Sequence, residues 1–128
     1  MLGNHTPTPT LAVSDLARAR EFYEGVLGLS PQGDPPEGVM YGAGSASLFV
    51  YPSAFAGTNQ ATAVSWMVDA ESFDAEVSAL RDKGVQFMTF DAPGMTWEDG
   101  VASMDGGSGR GVWFADPDGN ILNVDTGM

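Results

Sequence analysis

The chain contains one strand-and-helix pattern twice, and this repetition limits the folds open to it. Apolar and polar residues alternate, as in a half-buried strand, up to Val13 and again up to Val68, an offset of 55 residues. A helical pattern follows each strand and ends at Gly28 and at Gly84, an offset of 56 residues. The 128 residues suit one domain. An internal duplication around a shared core therefore fits better than two unrelated domains.

The first copy reads as a strand, a helix and further strands. The strand covers 9–14, and Ser14 or Asp15 can cap the helix that follows. The apolar stripe of this helix recurs at three and four residues and consists of Leu16, Ala19, Phe22, Tyr23 and Val26. The prolines and glycines of 30–38 predict a loop. Alternation then predicts two strands, at 39–41 and 46–52.

The second copy begins with a strand in which Trp66 is expected on the helix-facing, core side. Asp69 precedes a helix whose apolar stripe consists of Phe73, Val77 and Leu80. A strand is predicted at 85–90. A loop of unusual length is predicted at 91–111, which contains Pro, Gly, Met, Trp, Glu and Asp residues between two strands.

The last predicted element is a hairpin that covers 113–124. Its turn is Asp116-Pro117-Asp118-Gly119, in which the proline presets φ and Gly119 adopts a positive φ without a steric clash. Alternation assigns Trp113 and Ala115 to one face of the first strand and Val112 and Phe114 to the other. The small Ala115 suits a cavity wall, so Trp113 is predicted to face a ligand.

Charge and composition exclude several classes of protein. Five basic and seventeen acidic residues give a net charge of −12, which argues against binding to nucleic acid or anionic membranes and is compatible with a cationic ligand. Cysteine is absent, which excludes disulfides, thiolate metal sites and cysteine nucleophiles. No apolar run has the length of a membrane span and the start of the chain does not resemble a signal peptide. A cytoplasmic location is expected.

Several short motifs stand in the same order as in a known superfamily. They are Leu11-Ala12-Val13-Ser14-Asp15-Leu16, Phe22-Tyr23, Leu27-Gly28-Leu29, Lys83-Gly84-Val85 and the turn at Asp116 to Asn120. Together they resemble the vicinal oxygen chelate superfamily, the glyoxalase, bleomycin-resistance and extradiol-dioxygenase group. The resemblance implies an α+β fold in which two tandem βαβββ modules form an open, curved mixed β-barrel, with the helices outside. The expected single glyoxalase-like domain, 1–128, consists of a first module (7–52), a linker (53–60) and a second module (61–128).

The same resemblance implies a ligand cavity lined by the strand faces that point away from the helices. The residues predicted to bind a ligand are Thr8, Thr10, Phe49, Tyr51, Ala63, Met67, Trp97, Trp113 and Asn123. Trp97 lies in the long loop, where it is either a packing anchor or a flap over the ligand. Asp125 is on the predicted cavity face and is the best candidate for a general base.

The superfamily's enzymes hold one divalent metal with histidine and glutamate, and this chain departs from that pattern. The matching positions carry Thr8, Ala63, Phe49 (or Ser47) and Asn123. Hard divalent ions need carboxylates or imidazoles to replace their hydration shell, so no metal and no cofactor are predicted. His5, the one histidine of the sequence, lies upstream of these positions and is expected at the surface.

Two classes of function remain open. The first is a metal-independent small-molecule binding protein that resembles the bleomycin-resistance branch and holds an aromatic or cationic ligand in the cavity. The alternative is an enzyme of the same superfamily: a glyoxalase-like lyase or isomerase, or a dioxygenase-type enzyme whose metal ligands lie elsewhere. The resemblance also implies a homodimer, in which modules pair either within one chain or across two chains.

Overall fold

The computed structural model describes residues 1–4, 6–33, 35–106 and 109–127. The chain divides into two compact units, one formed by Met1–Ala63 with Asp116–Asn120 and the other by Val64–Ala115 with Ile121–Met128. Helices and strands occur in both units, which confirms the predicted α+β class. None of the helices in the described part of the chain is long and apolar enough to cross a lipid bilayer.

The first unit is built on a four-stranded sheet. Its elements are a 3₁₀ turn (Leu2–Asn4), strand β1 (Thr10–Val13), helix α1 (Leu16–Arg20) with a π-helical continuation (Glu21–Val26), and strands β2 (Ser30–Gly33), β3 (Val39–Ala43) and β4 (Ala46–Pro52). The strand order is β1-β4-β3-β2. Strand β1 is parallel to β4, whereas the β4–β3 and β3–β2 pairs are antiparallel.

Helix α1 begins and ends at the predicted signals. Asp15 is the N-cap, and its carboxylate accepts a hydrogen bond of 3.1 Å from the backbone N–H of Arg18. Gly28 follows the helical region with a φ of 72°, the left-handed conformation that glycine adopts most easily. Ala19 and Tyr23 of the predicted apolar stripe are fully buried.

Segment 30–38 begins with a strand, so the prediction of a loop was wrong for its first part. Ser30 and Pro31 pair with Gly42 and Tyr41 of β3. Strand β2 lies at the edge of the sheet, where one row of backbone groups needs no partner. Proline is tolerated at such an edge. The pairing of β2 with β3, the next strand, is not visible in the composition of 30–38.

Strand β4 has the predicted alternation of buried and partly exposed side chains. Leu48 and Val50 are buried, whereas Phe49 and Tyr51 are half-buried. The same pattern places Leu11 and Val13 of β1 in the core of the first unit. Each buried aliphatic side chain contributes about 1.5–3 kcal/mol to folding. The face of the sheet that carries these residues is therefore buried in the core. The opposite face, which carries Phe49 and Tyr51, remains partly exposed.

The second unit is built on a five-stranded sheet. Its elements are β5 (Thr62–Met67), which starts at the end of the first unit, helix α2 (Ala70–Asp82), and strands β6 (Met95–Glu98), β7 (Val101–Met104), β8 (Arg110–Ala115) and β9 (Ile121–Asp125). The strand order is β5-β9-β8-β7-β6. The β6–β7, β7–β8 and β8–β9 pairs are antiparallel.

Helix α2 was predicted correctly from its cap and its stripe. Asp69 is the N-cap and accepts a hydrogen bond of 2.7 Å from the backbone N–H of Ser72, which lowers the pKa of this carboxyl group. Phe73, Val77 and Leu80 are buried. Trp66, in contrast, is half-buried, so its predicted place in the core was wrong.

Between α2 and β8 the structure differs from the predicted strand and loop. Segment 85–90 is not a strand: Met88 alone forms an isolated bridge, to Trp113. The predicted loop at 91–111 contains the hairpin of β6 and β7 instead. Its turn is Asp99-Gly100, with φ values of 50° and 79°, as in a two-residue type I′ turn.

The closing hairpin is present as predicted. The N–H of Gly119 donates a hydrogen bond of 3.0 Å to the carbonyl of Asp116, and Gly119 has a φ of 84°. In β8, Val112 and Phe114 are buried, whereas Trp113 is half-buried on the other face. The strand phase predicted from alternation is therefore correct.

Candidate functional site

One face of the sheet in the second unit carries both tryptophans predicted for the site. Trp113 lies opposite Asn123 in the β8–β9 pair, and Trp97 lies opposite Ala102 in the β6–β7 pair. Residues directly opposite each other in antiparallel strands point to the same face. Ala102 pairs in turn with Gly111, two residues before Trp113. Trp97 and Trp113 therefore share this face.

Phe90, Trp97 and Trp113 form a compact group, which we call the aromatic cluster. The ring centroid of Phe90 lies 5.1 Å from that of Trp97 and 5.0 Å from that of Trp113, and both contacts are edge-to-face. The two indoles are 6.0 Å apart and tilted by 58°. Phe90 is 42% exposed and the indoles are half-buried. The rings support each other and still reach solvent, as a binding surface for a flat or cationic group requires.

Two polar side chains of β9 lie on the same face as the aromatic cluster. Asp125 is opposite Gly111, and its Oδ1 accepts a hydrogen bond of 2.7 Å from the N–H of Gly127. Among the described residues, its Oδ2 has no hydrogen-bond donor. Asn123 is buried, and its amide donates a hydrogen bond of 3.1 Å to the carbonyl of Val112. Asp125 is therefore the charged group of this face that can meet a ligand, whereas Asn123 supports the strand.

Three other predicted site residues meet at a cavity of the first unit. Thr10, Tyr51 and Ala63 line this space of about 270 Å³. The segment that follows β4 adds Ser53, Phe55, Ala56, Gly57, Thr58 and Asn59 to the lining. Hydroxyl and amide groups thus alternate with apolar surface around the cavity, a lining suited to a small polar molecule.

The remaining predicted residues are not among those that line the cavity or form the aromatic cluster. Thr8 is exposed, and its carbonyl accepts a hydrogen bond of 3.0 Å from the hydroxyl of Thr10. Phe49 stacks on Tyr51 with ring centroids 5.8 Å apart and therefore supports a residue of the cavity wall. Met67 is 76% exposed at the end of β5.

A buried network fixes one part of the cavity wall. Asn120, which lines the cavity, donates hydrogen bonds of 2.8 Å to Oδ2 of Asp116 and to the carbonyl of Ala12. The hydroxyl of Tyr23 donates to the same Oδ2 at 2.8 Å. Burial and the neighbouring carboxylate of Asp116 raise the pKa of Tyr23 far above its ordinary value. The tyrosine therefore remains a neutral donor, and the carboxylate is held by strong hydrogen bonds.

Sequence reasoning missed Phe90 and the segment 55–59. Phe90 was assigned to a regular strand, and its approach to two tryptophans depends on an irregular segment that periodicity does not reveal. The segment 55–59 consists of small and polar residues, which give no signal of a cavity wall. The hairpin that carries Trp97 did have a signal, because Asp99-Gly100 is a typical two-residue turn.

The comparison with protein families places the chain within one superfamily. The profile of the Glyoxalase/Bleomycin resistance protein/Dioxygenase superfamily matches residues 4–124. The chain belongs to this superfamily. The resemblance predicted from the short motifs is thus confirmed, since this superfamily is the vicinal oxygen chelate group. No curated protein sequence matches the chain.

Solved structures similar to the chain have the same glyoxalase-like fold. The fosfomycin resistance protein FosX from Mesorhizobium loti has a TM-score of 0.68 at 17% identity, covering 97% of this chain and 92% of that one. A glyoxalase/bleomycin resistance protein/dioxygenase from Alicyclobacillus acidocaldarius has a TM-score of 0.71 at 16% identity, covering 95% and 90%. An integron cassette protein from the mobile metagenome of V. cholerae has a TM-score of 0.65 at 21% identity, covering 97% and 95%. Identities this low establish the fold and leave the activity open.

The residues that the resemblance assigns to the superfamily's metal positions do not fit a divalent ion. Ala63 and Phe49 supply no donor atom, and Thr8 supplies an exposed neutral hydroxyl. The amide of Asn123 is used in its hydrogen bond to the backbone of β8. Within the described ranges no three His, Cys, Asp or Glu side chains form a group that could hold a metal, and His5 lies outside those ranges. Replacing a hydration shell requires charged or imidazole ligands that this set lacks.

Proposed function

We propose that this superfamily member binds a small aromatic or cationic molecule without a metal ion, and that the ligand lies on the aromatic cluster. The observation that supports this most is the arrangement of Trp97 and Trp113 on one half-exposed sheet face together with the carboxylate of Asp125. Indole faces attract cations, and a carboxylate on the same face adds a second attraction.

Electrostatics favour a cationic ligand over a neutral or anionic one. The net charge of −12 raises the concentration of cations near the surface and opposes the approach of polyanions. A cation placed over an indole contributes about 0.5–2 kcal/mol, depending on how well it is desolvated. A flat quaternary or aromatic ammonium compound is attracted both by the net negative charge and by the indole faces. This is the ligand class that we propose.

Metal independence is the second part of the proposal, and its support is the donor chemistry of the four superfamily positions. Thr8, Ala63, Phe49 and Asn123 provide neither imidazole nor carboxylate. The alternative is an enzyme of the same superfamily, either a glyoxalase-like lyase or isomerase that transfers protons without a metal, or a dioxygenase-type enzyme, which requires metal ligands elsewhere in the chain. In such an enzyme Asp125 is the candidate proton acceptor, because its free carboxylate oxygen lies on the face of the aromatic cluster.

The cavity of the first unit is a second place where a small molecule fits. Its 270 Å³ correspond to about nine water molecules at the volume of liquid water. Thr10, Tyr51 and Ala63 line it, which supports the proposal that these residues contact a ligand. The predicted homodimer and the predicted cytoplasmic location remain predictions from the sequence.

Calorimetric titration of the full chain with a matched set of probes tests the ligand class. Tetramethylammonium and tert-butanol have similar shapes and differ in charge, and phenyltrimethylammonium adds a ring. We expect phenyltrimethylammonium to bind most tightly and tetramethylammonium about tenfold more tightly than tert-butanol. Equal affinity for tert-butanol and tetramethylammonium would contradict a cation site.

Elemental analysis of protein purified without chelator tests metal independence separately. The proposal predicts far less than one equivalent of zinc, nickel, iron or manganese per chain. Close to one equivalent of any of these metals would contradict it and would favour the enzyme alternative. This result does not depend on the identity of the ligand.

A further inference from the structure

The sheet face opposite the aromatic cluster carries a second pocket, also within the second unit. Glu98 pairs with Val101, and Ser103 pairs with Arg110, so these four side chains lie on the face that Trp97 and Trp113 do not use. Helix α2 adds Arg81 to the wall. The pocket has a volume of about 230 Å³ and is also lined by Asp99. We call it the arginine pocket.

Arg81 brings to the arginine pocket a guanidinium that forms no ion pair with the described residues. The other arginines pair with carboxylates: Arg18 with Asp118 at 3.2 Å, Arg20 with Glu24 at 2.7 Å and Arg110 with Asp74 at 2.8 Å. Among the described residues, no carboxylate lies within 4.0 Å of the Arg81 guanidinium. Arg81 is exposed at this pocket, so its guanidinium is accessible to a ligand with a negative charge.

The guanidinium of Arg81 is held in place by neutral groups. It lies 5.3 Å from the ring centroid of Phe87 and donates one hydrogen bond to the backbone carbonyl of Asp99. A guanidinium has five N–H donors, so most of them remain for a ligand. A fixed guanidinium loses little side-chain entropy when it binds a carboxylate.

Negative charge lines the same pocket. Within the described ranges, neither Glu98 nor Asp99 has a basic side chain within 4.0 Å. Arg110 also lines the pocket, but its guanidinium is paired with Asp74. A simple anion is therefore attracted by Arg81 and repelled by Glu98 and Asp99, whereas a simple cation is attracted by the two carboxylates and repelled by Arg81. A molecule that carries both charges can satisfy both sides.

We propose that the arginine pocket binds a small zwitterion, an amino carboxylate of amino-acid size. Its carboxylate lies on Arg81 with the hydroxyl of Ser103 as a further donor, and its ammonium group lies on Glu98 and Asp99. Val101 offers apolar surface for a short side chain. The volume corresponds to about eight water molecules, which suits a ligand with a similar number of non-hydrogen atoms. This site is independent of the proposed function, because it lies on the other face of the sheet.

Three probes of similar size test the charge requirement on the full chain. L-alanine carries both charges, propionate carries the negative one and ethylammonium carries the positive one. Calorimetry, with proton–nitrogen correlation spectra to locate the site, should show L-alanine binding about tenfold more tightly than either of the others. Absence of binding up to about 100 mM L-alanine, or equal binding of propionate, would overturn the proposal.

Two variants and a control locate the binding. Arg81→Ala should weaken L-alanine binding by about tenfold or more, whereas Arg18→Ala, which removes an arginine of the first unit, should leave it unchanged. Glu98→Gln should weaken L-alanine and strengthen propionate, because it removes a repulsive charge while it keeps the shape. Circular dichroism checks that the variants are folded, and the exposed Glu98→Gln variant provides the test if Arg81→Ala is not. Unchanged L-alanine affinity in either site variant would overturn the assignment.

Discussion

The hydroxyl of Tyr23 donates a hydrogen bond of 2.8 Å to Oδ2 of Asp116, and both side chains are almost completely removed from solvent. The same carboxylate accepts hydrogen bonds from the backbone N–H groups of Asp118 and Asn120 and from the amide of Asn120. Four donors thus share one buried charge. The hydrogen bond from Tyr23 to Asp116 holds the turn that closes the last hairpin within the first unit.

Replacing Tyr23 by phenylalanine should reduce the free energy of unfolding by about 1–3 kcal/mol, because a buried carboxylate loses a donor. Urea denaturation measures this loss. Tyr51→Phe is the matched control, since its hydroxyl has no hydrogen-bond partner among the described residues, and it should change the stability by less than about 0.5 kcal/mol. Equal losses of unfolding free energy in the two variants would show that the hydrogen bond between Tyr23 and Asp116 does not stabilise the fold.

The same tyrosine should make the protein sensitive to high pH. Burial and Asp116 raise the pKa of Tyr23 in the folded state above the value of about 10 found in unfolded chains. Above about pH 10 the unfolded chain therefore binds fewer protons than the folded one, and the free energy of unfolding should fall by about 1.4 kcal/mol per pH unit. Urea midpoints from about pH 9 to about pH 11 should show a steeper fall for the natural protein than for Tyr23→Phe. Parallel curves would contradict the prediction.

The local signals of the sequence were sufficient for the helix ends and for the closing hairpin. The caps Asp15 and Asp69 and the left-handed Gly28 and Gly84 act within one turn of chain, so spacing alone reveals them. The Asp99-Gly100 turn was equally local, but the glycines and proline around it concealed the hairpin. The edge strand β2 was missed because the prolines and glycines of 30–38 are typical of a loop, and composition does not reveal that the segment pairs with β3.

The candidate site was predictable only in part, for a similar reason. Alternation placed Thr10 and Tyr51 on the cavity face and Trp113 on the face of the aromatic cluster. Phe90 joins the cluster from a segment without regular strand structure, and Arg81 reaches its pocket from a helix end. Such approaches depend on tertiary packing, which no periodicity encodes.

Gly100 should tolerate a side chain poorly. Its φ is 79°, and a Cβ at this position would lie 3.0 Å from Cβ of Phe87. Gly94 has the same φ of 79° with open space around it, so Gly94→Ala measures the cost of the backbone conformation alone. We expect Gly100→Ala to destabilise the protein by about 1–3 kcal/mol and by more than Gly94→Ala. Equal unfolding free energies for the two variants would show that close contact between residue 100 and Phe87 adds no cost to the backbone conformation.

Replacing Trp113 by alanine should abolish binding of phenyltrimethylammonium, whereas Trp66→Ala should leave it within about twofold. Both indoles are half-buried, so neither truncation leaves a sealed void and each should cost about 1–2 kcal/mol of stability. The variants are therefore matched in stability and should differ in binding, which calorimetry measures. Normal binding by the Trp113→Ala variant would remove the aromatic cluster from the proposed site.

The most direct test of ligand binding at the aromatic cluster uses the indole N–H signals of the three tryptophans. Proton–nitrogen correlation spectra recorded during titration with phenyltrimethylammonium report on Trp66, Trp97 and Trp113 separately. We predict that the Trp97 and Trp113 signals shift together along one saturating curve and that the Trp66 signal stays in place. Saturable binding in which Trp97 and Trp113 do not move, or in which Trp66 moves most, would contradict the proposed site.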